Sequence, residues 1–129
     1  MGQRHTEIVE QVLSEWGKGN FRVIADHLDP HAVYLVSSDF PDSGVYVGLS
    51  EIQEYGAAFL AQWDRFTIQA QEIRAVGDTV VARVTQRGTG RVSGVTGDTP
   101  SFMLVTFRGS KIVRLDFVLD EDEALAALE

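Results

Sequence analysis

The chain contains no cysteine. That excludes disulfide staples, thiolate metal ligands and a cysteine nucleophile, and it leaves the compartment open, because reducing and oxidising surroundings both tolerate a thiol-free protein. Cations are scarce as well: 11 Lys and Arg stand against 19 Asp and Glu, a formal net charge of -8. A nucleic-acid surface works by clustered bases that displace condensed counterions, so a phosphate-backbone partner is disfavoured. No window approaches the ~18 consecutive apolar residues of a membrane span, and MGQRHTEIVEQVL has no apolar signal core. These absences lead us to expect a cytoplasmic protein with neither a nucleic-acid nor a membrane partner. What is present, 44% hydrophobic and 23% charged residues in 129, is the balance of one globular domain over 1–129 with a single core.

Periodicity divides the chain into two halves. In TEIVEQVLSEWGKGN, from Thr6, residues Ile8, Val9, Val12, Leu13 and Trp16 recur at helical spacing, and Gly17 and Gly19 mark the stop. FRVIADHLDP repeats the pattern over Phe21, Val23, Ile24 and Leu28, which predicts a second short helix ended by Asp29-Pro30. A strand follows over Ala32 to Val36, then a turn-rich loop, SSDFPDSGVYVG, in which Phe40 is placed to act as a lid. Ser50 and Gln53 form a capping-box pattern at the start of a third helix carrying Ile52, Tyr55, Phe59 and Trp63. Beyond it the period falls to two: FTIQAQEIRAVGD, TVVARVTQRGTGR, TPSFMLVTFRG and KIVRLDFVLD read as sequential antiparallel strands, followed by a short helix, DEDEALAALE. Three helices against such a sheet make an α+β domain with room for a pocket.

Several residues are candidates for chemistry, each with a structural reading beside it. Arg83, Thr85 and Arg87 alternate with Val80, Ala82, Val84 and Gln86, so the arginines pair across strands while Gln86 is the one polar member of the inward row. Val113, Leu115, Phe117 and Leu119 form the apolar row of the last strand, and Arg114 and Asp116 form its polar row, read as a solvated or interface ion pair with a catalytic pair as the alternative. The aromatics Trp16, Tyr34, Tyr46, Tyr55, Phe59, Trp63, Phe102 and Phe117 suffice to floor a cavity for a flat ring system; core packing is the competing reading. Tyr34 and Trp63 stand out because each carries a polar atom that needs a partner when buried. His5, His27 and His31 have no metal-site spacing and read as helix-end or surface residues. A His31 pair with Asp39 or Asp42 is the only hydrolase-like constellation. RGTGRVSGVTGD lacks the lysine of a phosphate loop and joins two strands, as a hairpin does.

Four segments, EWGKGNFRVIADHLDPHAVYL, SGVYVGLSEIQEY, RAVGDTVVARVTQRGTG and GSKIVRLDFVLDEDEALAAL, cover nearly the whole chain in order. In them the sequence resembles the SnoaL-like polyketide cyclases and ketosteroid isomerase-like proteins of the nuclear transport factor 2-like superfamily. The resemblance implies a cone-shaped curved antiparallel sheet wrapped around helices, a homodimer, and a small hydrophobic or polycyclic ligand bound without a cofactor or metal. It places the isomerase's base and oxyanion donors at Val36, Val12 and Met103, whose side chains can neither move a proton nor donate to an enolate. It places the cyclases' single acid-base aspartate at Asp120. A desolvated carboxylate there would serve an aldol closure, whereas the pattern Asp120 to Glu123 is also a capping box for the final helix. The ligand contacts implied together by the cone and the aromatics are Trp16, Tyr34, Phe59, Trp63, Gln86, Met103 and Phe117. Two readings follow: a cofactor-independent cyclase or isomerase using Asp120, or a non-catalytic, dimeric ligand-binding module.

Overall fold

The structure, a computed structural model, describes residues 2–37 and 43–127. Asp39, Phe40 and Asp42 lie outside them, and with them the expected lid and the partners considered for His31.

Helix α1 spans Gly2–Trp16. It begins a turn before Thr6, which adds His5 to the stripe of Ile8, Val9, Val12, Leu13 and Trp16. His5 is therefore not a surface residue: it is 1% exposed, its ring stacks on Phe107 with centroids 4.2 Å apart, and its Nε2–H donates to the Gly109 carbonyl at 2.7 Å. The helix stops where Gly19, at φ +88°, donates its N–H to the Trp16 carbonyl. A six-residue 3-10 helix, Arg22–His27, takes the place of the expected second α-helix. It ends before Leu28 because the residue preceding proline favours extended backbone, so strand β1 already runs through Asp29-Pro30, as Leu28–Val36.

Strand β2 (Gly44–Val47) lies within the stretch expected to be a loop. It is four residues long and pairs antiparallel with β1, Val47 opposite Val33 and Val45 opposite Leu35. Helix α2 (Leu49–Leu60) has Gly48 at its N-cap, at φ +88°, where no side chain can cap. Ser50 is thus inside the first turn, and Glu51 reaches back to accept the Val47 N–H at 3.1 Å in place of the expected capping box.

Strands β3 (Trp63–Val76), β4 (Thr79–Gly90), β5 (Thr96–Arg108) and β6 (Lys111–Val118) follow, with short turns between them. The Gly-rich segment is the tight β4–β5 hairpin, closed by the Gly90 N–H on the Val95 carbonyl at 3.0 Å. The final helix α3 is Glu121–Ala127. The sheet order is β2-β1-β6-β5-β4-β3. It is antiparallel except where β1 meets β6 side by side in parallel, and it is curved without closing. Register shifts in the β1–β6, β3–β4 and β5–β6 pairs mark bulges, which bend strands and tighten twist.

The inner face carries the main core: Val80, Ala82 and Val84 of β4, Met103, Val105 and Phe107 of β5, and the apolar stripe of α1. One bulge changes which residues of β6 belong to it. Thr106 lies opposite Arg114 while Phe107 lies opposite Ile112, so Val113 is the extra residue. Strand parity switches there, and Ile112 with Leu115 and Phe117 is buried inward, where the uninterrupted alternation predicted Val113.

The arginines of β4 pair with acids on the strands beside them: Arg87 Nε to Asp98 Oδ1 at 2.8 Å and Arg83 to Glu72 at 3.9 Å. On β6, Arg114 donates from Nε to Asp116 Oδ1 at 2.9 Å and from Nη2 to Oδ2 at 3.1 Å. Asp116 is only 7% exposed, because Arg114 lies over it. That hydrogen bond raises the Arg114 pKa, burial opposes it and the carboxylate charge adds to it. Beside it Leu104, Val118 and Ala124 form a second apolar cluster that seats α3 on the outer face. No helix among the described residues is long and apolar enough to cross a membrane.

Candidate ligand cavity

A cavity of about 550 Å³ lies between the helices and the inner face of the sheet. Its positions follow from local periodicity. On α2 the inward stripe is Ile52, Tyr55, Gly56, Phe59 and Leu60, the i, i+3, i+4, i+7, i+8 series, and each of these lines the cavity. Trp16 comes from the last residue of α1, Phe21 and Arg22 from the start of the 3-10 helix, and Tyr34 and Val36 from alternate positions of β1. Ile68, Gln86, Leu115 and Phe117 complete the sheet wall.

Seven of the lining side chains are aromatic, and their contacts close on themselves. Trp16 meets Phe21 at 5.6 Å between ring centroids and Phe21 meets Phe66 at 5.7 Å. Phe66 stands edge-on to Phe59 at 4.9 Å, and Phe59 stacks near Tyr55 at 6.0 Å. Tyr55 meets Tyr34 edge-on at 5.4 Å, Tyr34 meets Phe117 at 5.8 Å, and Phe117 returns to Trp16 at 6.4 Å. All seven distances fall in the range where aromatic pairs add stabilisation beyond their buried area. In a circuit of this kind each ring has two ring neighbours.

Polar character is confined to a few groups. Gln86 donates from Nε2 to the Ser101 hydroxyl at 2.9 Å, and Ser101 is completely buried. Arg22 is the one charged side chain among the described lining residues, and it is exposed, as are Gln53 and Ala57 on α2. Lining residues that also face solvent mark the mouth, which therefore opens between the 3-10 helix and α2.

Of the residues expected to contact a ligand, Trp16, Tyr34, Phe59, Gln86 and Phe117 are in the lining. Trp63 is not: it supports the wall from behind, 5.9 Å from Phe59 and 5.4 Å from Phe66, with its indole nitrogen buried. Met103 is also outside the lining, 1% exposed in the core between Ala82 and Phe117 on neighbouring strands. Sequence reasoning did not single out Phe21, Phe66, Gly56 or Arg22 as lining residues. The first three were legible only as members of helix or strand patterns, and Arg22 carried no signal of its own.

Asp120 lies in the bend between β6 and α3, exposed and outside the cavity lining. Its carbonyl accepts the Ala124 N–H at 3.2 Å, the first helical hydrogen bond of α3, which makes Asp120 the N-cap residue. The side chain of Glu123, its expected capping partner, is outside what the structure describes. Among the described residues no group of three His, Asp or Glu side chains is arranged to hold a metal ion.

This architecture recurs in solved structures. A protein from Jannaschia sp. CCS1 assigned to the SnoaL-like polyketide cyclases shares 18% identity and a TM-score of 0.79 over 98% of this chain and 92% of its own. A protein of ketosteroid isomerase-like fold from Catenulispora acidiphila DSM 44928, in complex with trimethylamine, shares 18% identity and a TM-score of 0.76 over 93% and 90% of the two chains. TerC, co-crystallised with polyporic acid, shares 18% identity and a TM-score of 0.77 over 97% of each. At such identities the likeness shows a shared fold, the nuclear transport factor 2-like and cystatin-like architecture. No curated protein matches the chain. Residues 9–115, from the middle of α1 to the centre of β6, match the SnoaL-like domain family as a whole, and the chain belongs to that family.

Proposed function

We propose that the protein binds a small, flat, largely apolar molecule in the cavity and does no chemistry on it through Asp120. The observation that carries this reading is the closed circuit of seven aromatic side chains around a space of about 550 Å³. That volume is within the roughly 300–1,000 Å³ typical of small-molecule sites. Rigid rings offer stacking area at little entropic cost, and Gln86 supplies one oriented polar contact. Structural neighbours crystallised with trimethylamine and with polyporic acid support the reading, since both show the fold holding an organic molecule. Acid-base catalysis by a single carboxylate needs that carboxylate in the apolar space, where desolvation raises its pKa. Asp120 is exposed and outside the cavity lining.

A thermal-shift screen of polycyclic ketones and quinones, followed by titration of the best hit, tests this. At a hundredfold excess over its Kd a hit stabilises the fold by about 2.7 kcal/mol. Asp120→Ala is expected to leave the hit's affinity within twofold while costing about 0.5–2 kcal/mol through loss of the cap. If the wild type instead converts the hit to product and Asp120→Ala abolishes that conversion, the cyclase or isomerase reading replaces this one.

Homodimerisation through the outer face of the sheet is part of the proposal, as is a cytoplasmic location, which rests on the sequence. The face has apolar rows, Val47 and Val33 in register with Arg114, and Val45 and Leu35 in register with Asp116. Val45 and Val47 are 58% and 50% exposed, beside Leu35 and Val33 on the edge of the sheet. Val47→Asp is expected to convert a dimer into a monomer in sedimentation equilibrium. A wild type that sediments as a monomer up to about 100 µM, well above the Kd of a stable interface, removes the idea.

A further inference from the structure

We propose that the cavity's ligand is an organic anion: an aromatic or polycyclic acid whose acidic oxygens are held by Arg22 at the mouth while its rings lie on the aromatic wall. This rests on the reading of the cavity as a ligand site and goes further by assigning the charge and orientation of what enters it.

Arg22 carries the argument. It lines the cavity at the start of the 3-10 helix, directly after Phe21 of the aromatic circuit, and is exposed at the mouth. The backbone beneath it is anchored. Leu28 N–H donates to the Ala25 carbonyl, and Lys111 Nζ donates to the Asp26 carbonyl at 2.9 Å, tying this turn to the start of β6. The Arg22 side chain makes no hydrogen bond or ion pair with any described residue. In a chain with 19 acids and 11 bases, Arg83, Arg87, Arg108 and Arg114 are matched to acids, whereas Arg22, like Arg4, Arg65 and Arg74, is not, and of these four Arg22 alone lines the cavity. The guanidinium at the cavity mouth keeps its planar fork of donors, which suits a carboxylate or an acidic enol.

The remainder of the site agrees in sign. No carboxylate lines the cavity among the described residues, so nothing there repels an anion or holds a cation. Aromatic faces attract cations, but here a cation would share the mouth with Arg22. Gln86, on the sheet wall, gives its amide N–H to Ser101, which leaves its carbonyl oxygen for a hydroxyl or N–H of the ligand. The expected occupant thus has an acidic group at one end and a neutral donor on its ring system.

Three fluorescent probes with one ring system separate the possibilities: 1-pyrenebutyrate, 1-pyrenebutanol and 1-pyrenebutylamine, titrated by anisotropy at low salt. The protein's net charge of -8 favours the amine in general, so a preference for the acid reports a local cation. The acid is expected to bind about three- to tenfold tighter than the alcohol, as an exposed charge-assisted contact provides. The preference should shrink as salt rises to 0.5 M. In Arg22→Gln, an exposed position whose fold is checked by circular dichroism, the ratio of acid to alcohol affinity should fall to about one. Equal affinity of acid and alcohol for the wild type, or a preference that survives Arg22→Gln, overturns the proposal while leaving the cavity as a binding site. Failure of all three probes to bind overturns both readings.

Discussion

Replacing Gly56 by phenylalanine is expected to abolish ligand binding and to make the protein more stable. Gly56 sits on the inward stripe of α2 and lines the cavity, and a Cβ added there meets no atom within 4 Å. The backbone is ordinary helix, so a side chain enters without strain at a position that lines the cavity. Glycine in a helix interior costs roughly 0.5–1 kcal/mol relative to alanine. A phenyl ring buried against the aromatic wall adds about 1.5–3 kcal/mol. The variant should therefore unfold at higher urea than the wild type and bind 1-pyrenebutanol at least about a hundredfold more weakly, a loss of roughly 2.7 kcal/mol. Gly56→Ala separates the two effects: it should gain the helix term and keep the probe. If Gly56→Phe binds as well as the wild type, the probe occupies some other surface and the cavity is not the site.

Phe117→Ala is expected to act in the reverse direction. Phe117 is 5% exposed, lies between Met103 of β5 and Val36 of β1 in the sheet, and is the ring that joins Tyr34 to Trp16. Truncating a buried phenylalanine costs about 3–5 kcal/mol. One face of this ring already borders open space, so the lower end of that range applies. Against a total stability of about 5–15 kcal/mol, this is a large drop in urea midpoint, at an unchanged m-value. The closed circuit also opens between Tyr34 and Trp16, and probe affinity should fall with it. A loss below about 1 kcal/mol would mean that neighbouring side chains collapse into the gap, an outcome an already half-open site makes visible.

How much of this was legible beforehand depended on whether a feature is local. The stripes of α1 and α2 and the alternation of β3 to β6 are local, and Trp16, Phe59, Gln86 and Phe117 were placed from them. The D-E-D-E pattern likewise located the start of α3 at Asp120. What escaped is set by contacts between distant segments. The bulge at Val113 shows only in the register of β6 against β5, and no period in KIVRLDFV announces it. His5 looked terminal because nothing in its own neighbourhood reveals the Gly109 carbonyl it meets across 104 positions. β2 is too short for its alternation to count, and Gly48 starts α2 by a conformation that leaves no side-chain signature. Gly56 was legible only as a member of the α2 pattern and Arg22 not at all, because each matters through the space beside it.

The parallel pairing of β1 with β6 has a kinetic consequence. The β3–β4, β4–β5 and β5–β6 hairpins join neighbours in sequence and close short loops, so they can form early. β1 and β2 have no such route into the sheet, since the strand they lean on is the last one made. The wall that carries Tyr34 therefore meets the wall that carries Phe117 only when loop closure over most of the chain has been accomplished, the slow step of a topology rich in distant contacts. Until that moment the aromatic side chains of the two walls are uncovered and prone to stick to other chains. In time as in space, the binding site is the last part of the molecule to exist.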